Sequence, residues 1–156
     1  MNTTALKDKI RTQAEAHGSY ALRSPEKRPL VDAELEKLGV GQDTQFAWFF
    51  SNFVATAILP DADWFPNELM DLISPTTVIS NGTAWARDVW ELPDGYVALS
   101  SGEGGGFVLY ETATEKVFDV GIEQFADMAS GKLEADFSSF LKFVDMYTSP
   151  SGRSIR

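Results

Sequence analysis

An aromatic stripe between residues 42 and 57 is the clearest hydrophobic pattern in the chain. Phe46, Phe49, Phe50 and Phe53 recur at positions i, i+3, i+4 and i+7, which is the spacing of one face of an α-helix. Burial of a phenylalanine ring contributes about 1.5–3 kcal/mol, and a stripe of this kind is typical of a core helix rather than of a cofactor site. The pattern predicts a helix over residues 42–57 with its phenylalanines in the core.

Weaker helical patterns flank this stripe. Residues 3–17 are weakly amphipathic, and a short helix is predicted to begin with Asp32 as its N-cap and to end before Gly39. Residues 122–129, and a segment capped by Asp136, carry helical spacing near the C-terminus. The apolar positions that define these faces are Leu6, Ile10, Leu35, Leu38, Ile122, Phe125, Ala126, Ala129, Phe137, Phe140, Leu141 and Val144.

Short strands replace helices in the middle of the chain. After a helical turn at 67–73, strands are predicted over 76–80, 89–92, 96–100, 107–111 and 116–120, with turns at Asn81-Gly82 and Pro93-Asp94-Gly95. Residues 107–110 are apolar at every position, so that strand is placed in the centre of the sheet. Because the connections are too short for parallel crossovers, the strands are expected to form an antiparallel meander.

The predicted fold class is α+β, an antiparallel meander sheet of about four to five strands with N- and C-terminal helices packed on one face. The length of 156 residues suits one domain. We divide the chain into an N-terminal helical extension and loop at 1–29, a single α+β domain at 30–148, and a polar tail at 149–156 that is expected to fray.

Charge is distributed unevenly along the chain. The formal net charge is −10, and residues 41–156 hold 17 acidic but only six basic residues. A field of this sign repels nucleic acid and anionic membranes, whereas it attracts a basic protein and speeds association with it. Solubility alone is the competing explanation of the acidity.

Composition removes most catalytic chemistry. There is no cysteine and His17 is the single histidine, so thiol nucleophiles, disulfides, zinc–thiolate sites and a histidine metal cage are excluded within one chain. The glycine run 102–106 lies between two predicted strands and contains Glu103, which does not suit a phosphate-binding loop. We predict no catalytic residue, no cofactor and no metal.

The N-terminal residues contain no apolar stretch typical of a secretory signal, and no window of the chain is apolar enough to cross a bilayer. The sequence therefore predicts a cytoplasmic protein.

Tryptophans near predicted turns, with acids beside them, are the strongest candidates for binding. Trp64 follows Asp63, and Trp90 precedes Glu91. Tryptophan is enriched in interface hot spots, and aromatic rings beside carboxylates suit lysine or arginine side chains. Capping the ends of a small core is the alternative role for these rings. The residues predicted to contact a partner are Asp61, Asp63, Trp64, Trp90, Glu91, Asp94 and Glu103.

Residues 34–147 resemble the SUKH superfamily, the Smi/Knr-like proteins that are abundant in bacteria as immunity proteins. The resemblance rests on the order of several segments. These are ELEKLG at 34–39, FAWFFSNF at 46–53, VWEL at 89–92, GYVALSSGEGGGFVLYETATEKVFDV at 95–120 and FSSFL at 137–141.

The resemblance implies a binding protein without catalytic activity. Its partner would be the toxic domain of a cognate effector delivered by a type VI or contact-dependent system, and an acidic surface would cover the toxin's active site or substrate groove. Such a toxin would be basic, as nucleases and other enzymes acting on polyanions are. A regulatory scaffold with a non-toxin partner, and a small hydrolase using a carboxylate pair, remain the alternatives.

Overall fold

A computed structural model describes residues 2–59, 68–73, 78–102 and 105–149. Its helices are α1 (Thr3–Glu15), α2 (Arg28–Leu38), α3 (Gln45–Asn52), α4 (Ile79–Trp90), α5 (Phe125–Ala129) and α6 (Phe140–Thr148). Its strands are β1 (Tyr96–Ala98), β2 (Gly106–Glu111) and β3 (Val117–Gly121). Short 3₁₀ turns occur at Ser19–Ala21, Pro25–Lys27, Ala55–Ala57 and Ile122–Gln124.

The predicted α+β class is confirmed, but the described sheet has three strands rather than four to five. The strands form an antiparallel meander in the order β1-β2-β3. Strand β2 is central, as its apolar run predicts, and residues 107–110 are buried.

Helices cover both faces of the sheet, not one face as expected. Tyr110 of β2 contacts Phe46 of α3 and Phe140 of α6, with ring centroids 4.7 and 5.4 Å apart. Phe107, on the opposite face of the same strand, contacts Phe125 of α5 at 5.7 Å. Because side chains alternate along a strand, a central strand that is apolar at every position requires cover on both sides.

The phenylalanine helix is confirmed as the centre of the core. Phe46, Phe49, Phe50 and Phe53 are fully buried. The helix is shorter than predicted: Thr44 caps its first turn by accepting a hydrogen bond from the Ala47 amide at 3.1 Å, and the backbone becomes extended at Phe53.

Helix α4 is the largest departure from the predicted order. Asn81-Gly82 was expected to form a turn and 89–92 a strand, yet residues 79–90 form one helix. Gly82 lies within this helix next to the end of the Met70 side chain, with the Cε atom 2.5 Å from where a Cβ atom would stand. Residues 76 and 77 of the predicted strand 76–80 lie outside the described residues.

Three further local predictions are wrong in detail. Residues 68–73 are extended rather than helical, with bridges from Leu69 to Ser100 and from Asp71 to Val78. Helix α2 begins at Arg28, before Asp32, although Gly39 ends it in the left-handed conformation as expected. Helix α6 is capped by Ser139, not Asp136. Residues 150–156 of the predicted tail lie outside the described part of the chain.

Candidate functional site

The outer face of α4 carries an exposed aromatic pair. Trp85 is 45% exposed, Val89 49% and Trp90 38%. The two indole rings contact each other edge to face, with centroids 6.1 Å apart and planes at 79°. Contiguous exposed apolar patches are uncommon on monomeric proteins, so this pair is a candidate binding feature.

The inner face of α4 fixes this orientation. Ile79, Thr83 and Ala86 are buried at the helical spacing i, i+4 and i+7. Thr83 Oγ1 accepts a hydrogen bond from the Ala98 amide at 3.0 Å, and Arg87 Nη2 donates to the Tyr96 carbonyl at 3.2 Å. The helix therefore covers the outer edge of β1 with this face, while Trp85, Val89 and Trp90 keep exposed surface.

Three exposed carboxylates lie close to the tryptophan pair along the chain. Asp88 lies on α4 one turn from Trp85, Glu91 ends the helix, and Asp94 lies in the turn before β1; all three are exposed. Arg87 is the only cation on α4, and its guanidinium is directed at the β1 edge. We call Trp85, Asp88, Val89, Trp90, Glu91 and Asp94 together the α4 surface.

Glu91 has an unusual backbone conformation, with φ 58° and ψ 41°. This left-handed region costs a side-chain-bearing residue about 1–2 kcal/mol, and the position after a helix usually holds glycine or asparagine. The described chain contains one other such residue, Glu115, with φ 62°.

The two glutamates differ in what their carboxylates do. Glu115 Oε1 accepts hydrogen bonds from the Phe46 amide at 3.2 Å and from the Tyr110 hydroxyl at 2.9 Å, so its side chain caps α3 and satisfies a buried phenol. Burial raises the pKa of Tyr110, and the charge of Glu115 raises it further, which keeps the phenol protonated as a donor. The carboxylate of Glu91 is exposed and has no comparable role among the described residues.

The structure brings three of the predicted contact residues together. Trp90, Glu91 and Asp94 are consecutive parts of the α4 surface, although Trp90 lies on a helix and not on the predicted strand. Asp61, Asp63, Trp64 and Glu103 lie outside the described residues. Trp85 and Val89 were not among the predicted contacts, because their i, i+4 spacing places them together only if residues 79–90 form a helix, and the Asn81-Gly82 turn signal argued against one.

A cleft of about 960 Å³ lies on another side of the molecule, between α2 and the segments at 71–73 and 78–81. It holds a buried ion pair in which Arg23 donates from Nη1 and Nη2 to the two carboxylate oxygens of Asp71, both at 2.8 Å. Arg23 Nε also donates to the Phe50 carbonyl at 2.9 Å, and the Ala55 amide donates to Asp71 at 3.3 Å. These bonds join three segments of the chain.

The second carboxylate of the cleft is also engaged. Glu34 accepts a hydrogen bond from the Ser80 hydroxyl at 2.7 Å and pairs with Lys37 at 2.6 Å. Burial raises the pKa of Glu34, but the hydrogen bonds from Lys37 and Ser80 and the Lys37 charge outweigh it, so the pKa lies below its ordinary value. A general acid needs the opposite shift, so Glu34 is not arranged for that role.

Metal ligands and membrane spans are also not found in the described part of the chain. No group of three or more histidine, cysteine or acidic side chains there is arranged to hold a metal ion. None of the helices at 2–59, 68–73, 78–102 and 105–149 has the length and apolar character that crossing a bilayer requires.

Comparison with known proteins identified no relative of this chain. No protein-family model, no curated protein and no solved structure matches the chain.

Proposed function

We propose that the protein is an immunity protein that binds a cognate secreted toxin domain and neutralises it. The observation that carries this proposal is the α4 surface, where exposed tryptophans and carboxylates lie together. Buried aromatic anchors supply most of the energy of protein interfaces, and carboxylates around them favour a basic partner. The resemblance to the SUKH superfamily in the order of sequence segments supports the same function.

The proposed mechanism is occlusion. Enzymes that act on polyanions need cations in their active sites, and a negatively charged plug placed over those cations blocks substrate access. The net charge of −10 accelerates the encounter with such a toxin at low ionic strength. Asp61, Asp63, Trp64 and Glu103 remain predicted contacts in addition to those of the α4 surface.

The proposal assigns no reaction to the chain. A carboxylate-dependent hydrolase would need two acids free to act on a substrate, whereas Asp71 and Glu34 in the cleft are each committed to a basic or hydroxyl partner. The remaining alternative, a regulatory scaffold, differs in the partner and not in the binding chemistry.

Co-expression with the product of the neighbouring gene tests the function. We expect that gene to encode a basic protein that arrests growth when expressed alone, and we expect this chain to restore growth and to co-purify with it. The control is an unrelated acidic protein of similar size. A neighbouring product that is harmless alone, or that stays toxic in the presence of this chain, would reject the immunity function, and a harmless product that still binds would favour the scaffold.

A further inference from the structure

We propose that the α4 surface is a docking site for an arginine-bearing segment of a basic protein, with a guanidinium group stacked in the corner between Trp85 and Trp90. The identity of that protein as a toxin rests on the proposed function, whereas the chemistry of the site is argued from the residues themselves.

The corner has the geometry that a planar cation needs. The indole planes meet at 79°, and both rings are partly open to solvent. A guanidinium stacks on an indole face within about 6 Å of its centroid, and its weak hydration makes this favourable at a protein surface. A lysine ammonium is more strongly hydrated and lacks the planar group that can stack on one ring with its edge against the other.

Trp48 makes cation–π contacts with basic side chains of the same chain. Lys7 Nζ lies 5.2 Å and the Arg11 guanidinium carbon 5.9 Å from the Trp48 ring centroid. In the parts of the chain that the structure describes, no lysine or arginine makes such a contact with Trp85 or Trp90. The described residues therefore supply no cation to these two rings, and we assign that cation to a partner.

Charge on the α4 surface selects the same partner. Asp88, Glu91 and Asp94 are exposed, and the only cation of the helix, Arg87, donates to the Tyr96 carbonyl. The carboxylates would favour binding of a guanidinium and oppose binding to anionic lipid or nucleic acid.

The backbone at Glu91 is a third, independent indication. Its left-handed conformation favours glycine, and in Glu115 a comparable conformation accompanies hydrogen bonds that hold the fold together. At Glu91 the exposed carboxylate has no such structural role among the described residues. The conformation itself ends α4, but a glutamate where glycine is usual places a carboxylate next to Trp90, which agrees with a basic partner.

Peptide titration observed by NMR tests the site. The probe is a short, capped glycine–arginine peptide, and its matched control replaces each arginine with citrulline, which has the same shape and no charge. We expect the indole N–H signals of Trp85 and Trp90 to shift with the arginine peptide and the Trp48 signal to stay in place. Binding should weaken as salt is raised, and the citrulline peptide should leave all signals unchanged.

Variants distinguish binding at the α4 surface from non-specific attraction of the peptide by the protein's net negative charge. Trp85→Ala should weaken peptide binding by about threefold to thirtyfold, and Glu91→Gln with Asp94→Asn should weaken it and flatten its salt dependence. The matched controls are Tyr20→Ala, an exposed aromatic elsewhere, and Glu15→Gln with Glu36→Gln, both exposed acids; these should bind as the unaltered protein does. Thermal unfolding of each variant checks that the fold is retained, and the Gln/Asn variant tests the site even where Trp85→Ala fails to fold.

Several results would overturn the proposal. These are equal shifts of all indole signals, equal binding of the citrulline peptide, loss of binding in the control variants, or shifts of Trp85 and Trp90 caused by neutral phosphatidylcholine vesicles and not by the arginine peptide. The immunity function fails separately: growth protection that survives the α4 variants rejects this site and keeps the function, whereas arginine binding without protection keeps the site and rejects the function.

Discussion

At the scale of single residues, two glutamates with the same strained backbone conformation differ in whether their side chains stabilise the fold. Glu91 and Glu115 both adopt left-handed backbone conformations, but Glu115 has hydrogen-bonded partners in the core and Glu91 is exposed beside Trp90. At Glu115 the cost of the left-handed conformation is therefore offset by hydrogen bonds within the fold. At Glu91 we propose that it is offset by binding to a partner.

Replacing each of these glutamates with glycine should have opposite effects. Glu91→Gly relieves the left-handed strain and is expected to raise the free energy of unfolding by about 0.5–1 kcal/mol. Glu115→Gly leaves the Tyr110 hydroxyl and the Phe46 amide without their acceptor and is expected to lower it by about 1–2 kcal/mol. Urea denaturation of both variants measures the difference, and destabilisation by Glu91→Gly would show that its side chain supports the fold.

Glu34 should make stability depend on pH in the acidic range. Its pKa in the folded state lies below the ordinary value of 4.5, so folding favours the ionised carboxylate. Its contribution is fully present above the unfolded pKa and is lost as the pH falls through the folded pKa. The difference in unfolding free energy between the unaltered protein and Glu34→Gln should be constant above about pH 5.5 and shrink below pH 4.5.

The control for this measurement is Glu36→Gln, an exposed position on the same helix. Its difference from the unaltered protein should vary much less with pH, because Glu36 lacks the contacts with Lys37 and Ser80 that Glu34 makes. A pH-independent difference for Glu34→Gln would contradict the assignment.

At the scale of elements, the short sheet is completed by groups that are not strands. The outer edge of β1 is covered by Thr83 and Arg87 of α4. The outer edge of β3 is covered by Phe137, which exchanges two 3.0 Å backbone hydrogen bonds with Val117, and by the Asp136 carboxylate, which accepts from the Asp119 amide at 2.7 Å. Open strand edges can pair with strands of other molecules and so promote aggregation. Because these contacts cover both outer edges, the three-stranded sheet is protected from such pairing.

The Arg23–Asp71 pair is expected to hold loop segments together. Burying either charge alone is unfavourable, and the attraction between the two charges offsets this desolvation only when both are present. Arg23→Ala leaves a buried carboxylate unpaired and should lower the free energy of unfolding by about 3–5 kcal/mol. The double variant Arg23→Met with Asp71→Leu should be less destabilised than the sum of its single variants, because no isolated charge remains buried. Urea denaturation of the four proteins forms the cycle.

The exposed pair Arg28–Asp32 is the matched comparison. Its atoms lie 2.9 Å apart at spacing i, i+4 on α2, and such surface pairs contribute about 0.3–0.5 kcal/mol. Arg28→Ala should therefore have little effect. Two results would contradict this expectation. The losses of unfolding free energy in the Arg23 and Asp71 single variants could add up to that of the double variant, or Arg23→Ala and Arg28→Ala could lower the free energy of unfolding equally. Either result would show that burial does not govern the strength of these pairs.

At the scale of the whole molecule, one hydrophobic core includes residues from Ile10 to Tyr147. Helix α1 packs against α6, with Ile10 and Ala14 fully buried. Gln13 donates to Thr148 Oγ1 at 2.7 Å, and Lys9 pairs with Asp145 at 3.2 Å. The N-terminal helix therefore contributes to the same core as the C-terminal helix.

Ile10→Ala should destabilise the entire protein and not only its first helix. Deletion of these buried atoms costs about 2–5 kcal/mol, and hydrogen exchange should accelerate in α3 and α6 as well as in α1. Thr4→Ala, at an exposed position of α1, is the control and should change little. Loss of protection confined to α1 would show that this helix unfolds independently.

The sequence by itself determined the features that depend on local periodicity or on composition. These are the buried phenylalanine helix, the central position of β2, the left-handed end of α2 at Gly39, and the excess of acids. Each of them is encoded by neighbouring residues, since helical and strand periods repeat over a few positions.

Only the tertiary structure decided what α4 is and what it presents. Asn81-Gly82 is a strong local turn signal, but the bonds from Thr83 and Arg87 to β1 hold the segment as a helix. That outcome places Trp85 against Trp90. Contacts between residues distant in sequence outweigh a local preference worth about 1 kcal/mol, and for that reason the candidate surface could not be assembled from the sequence alone.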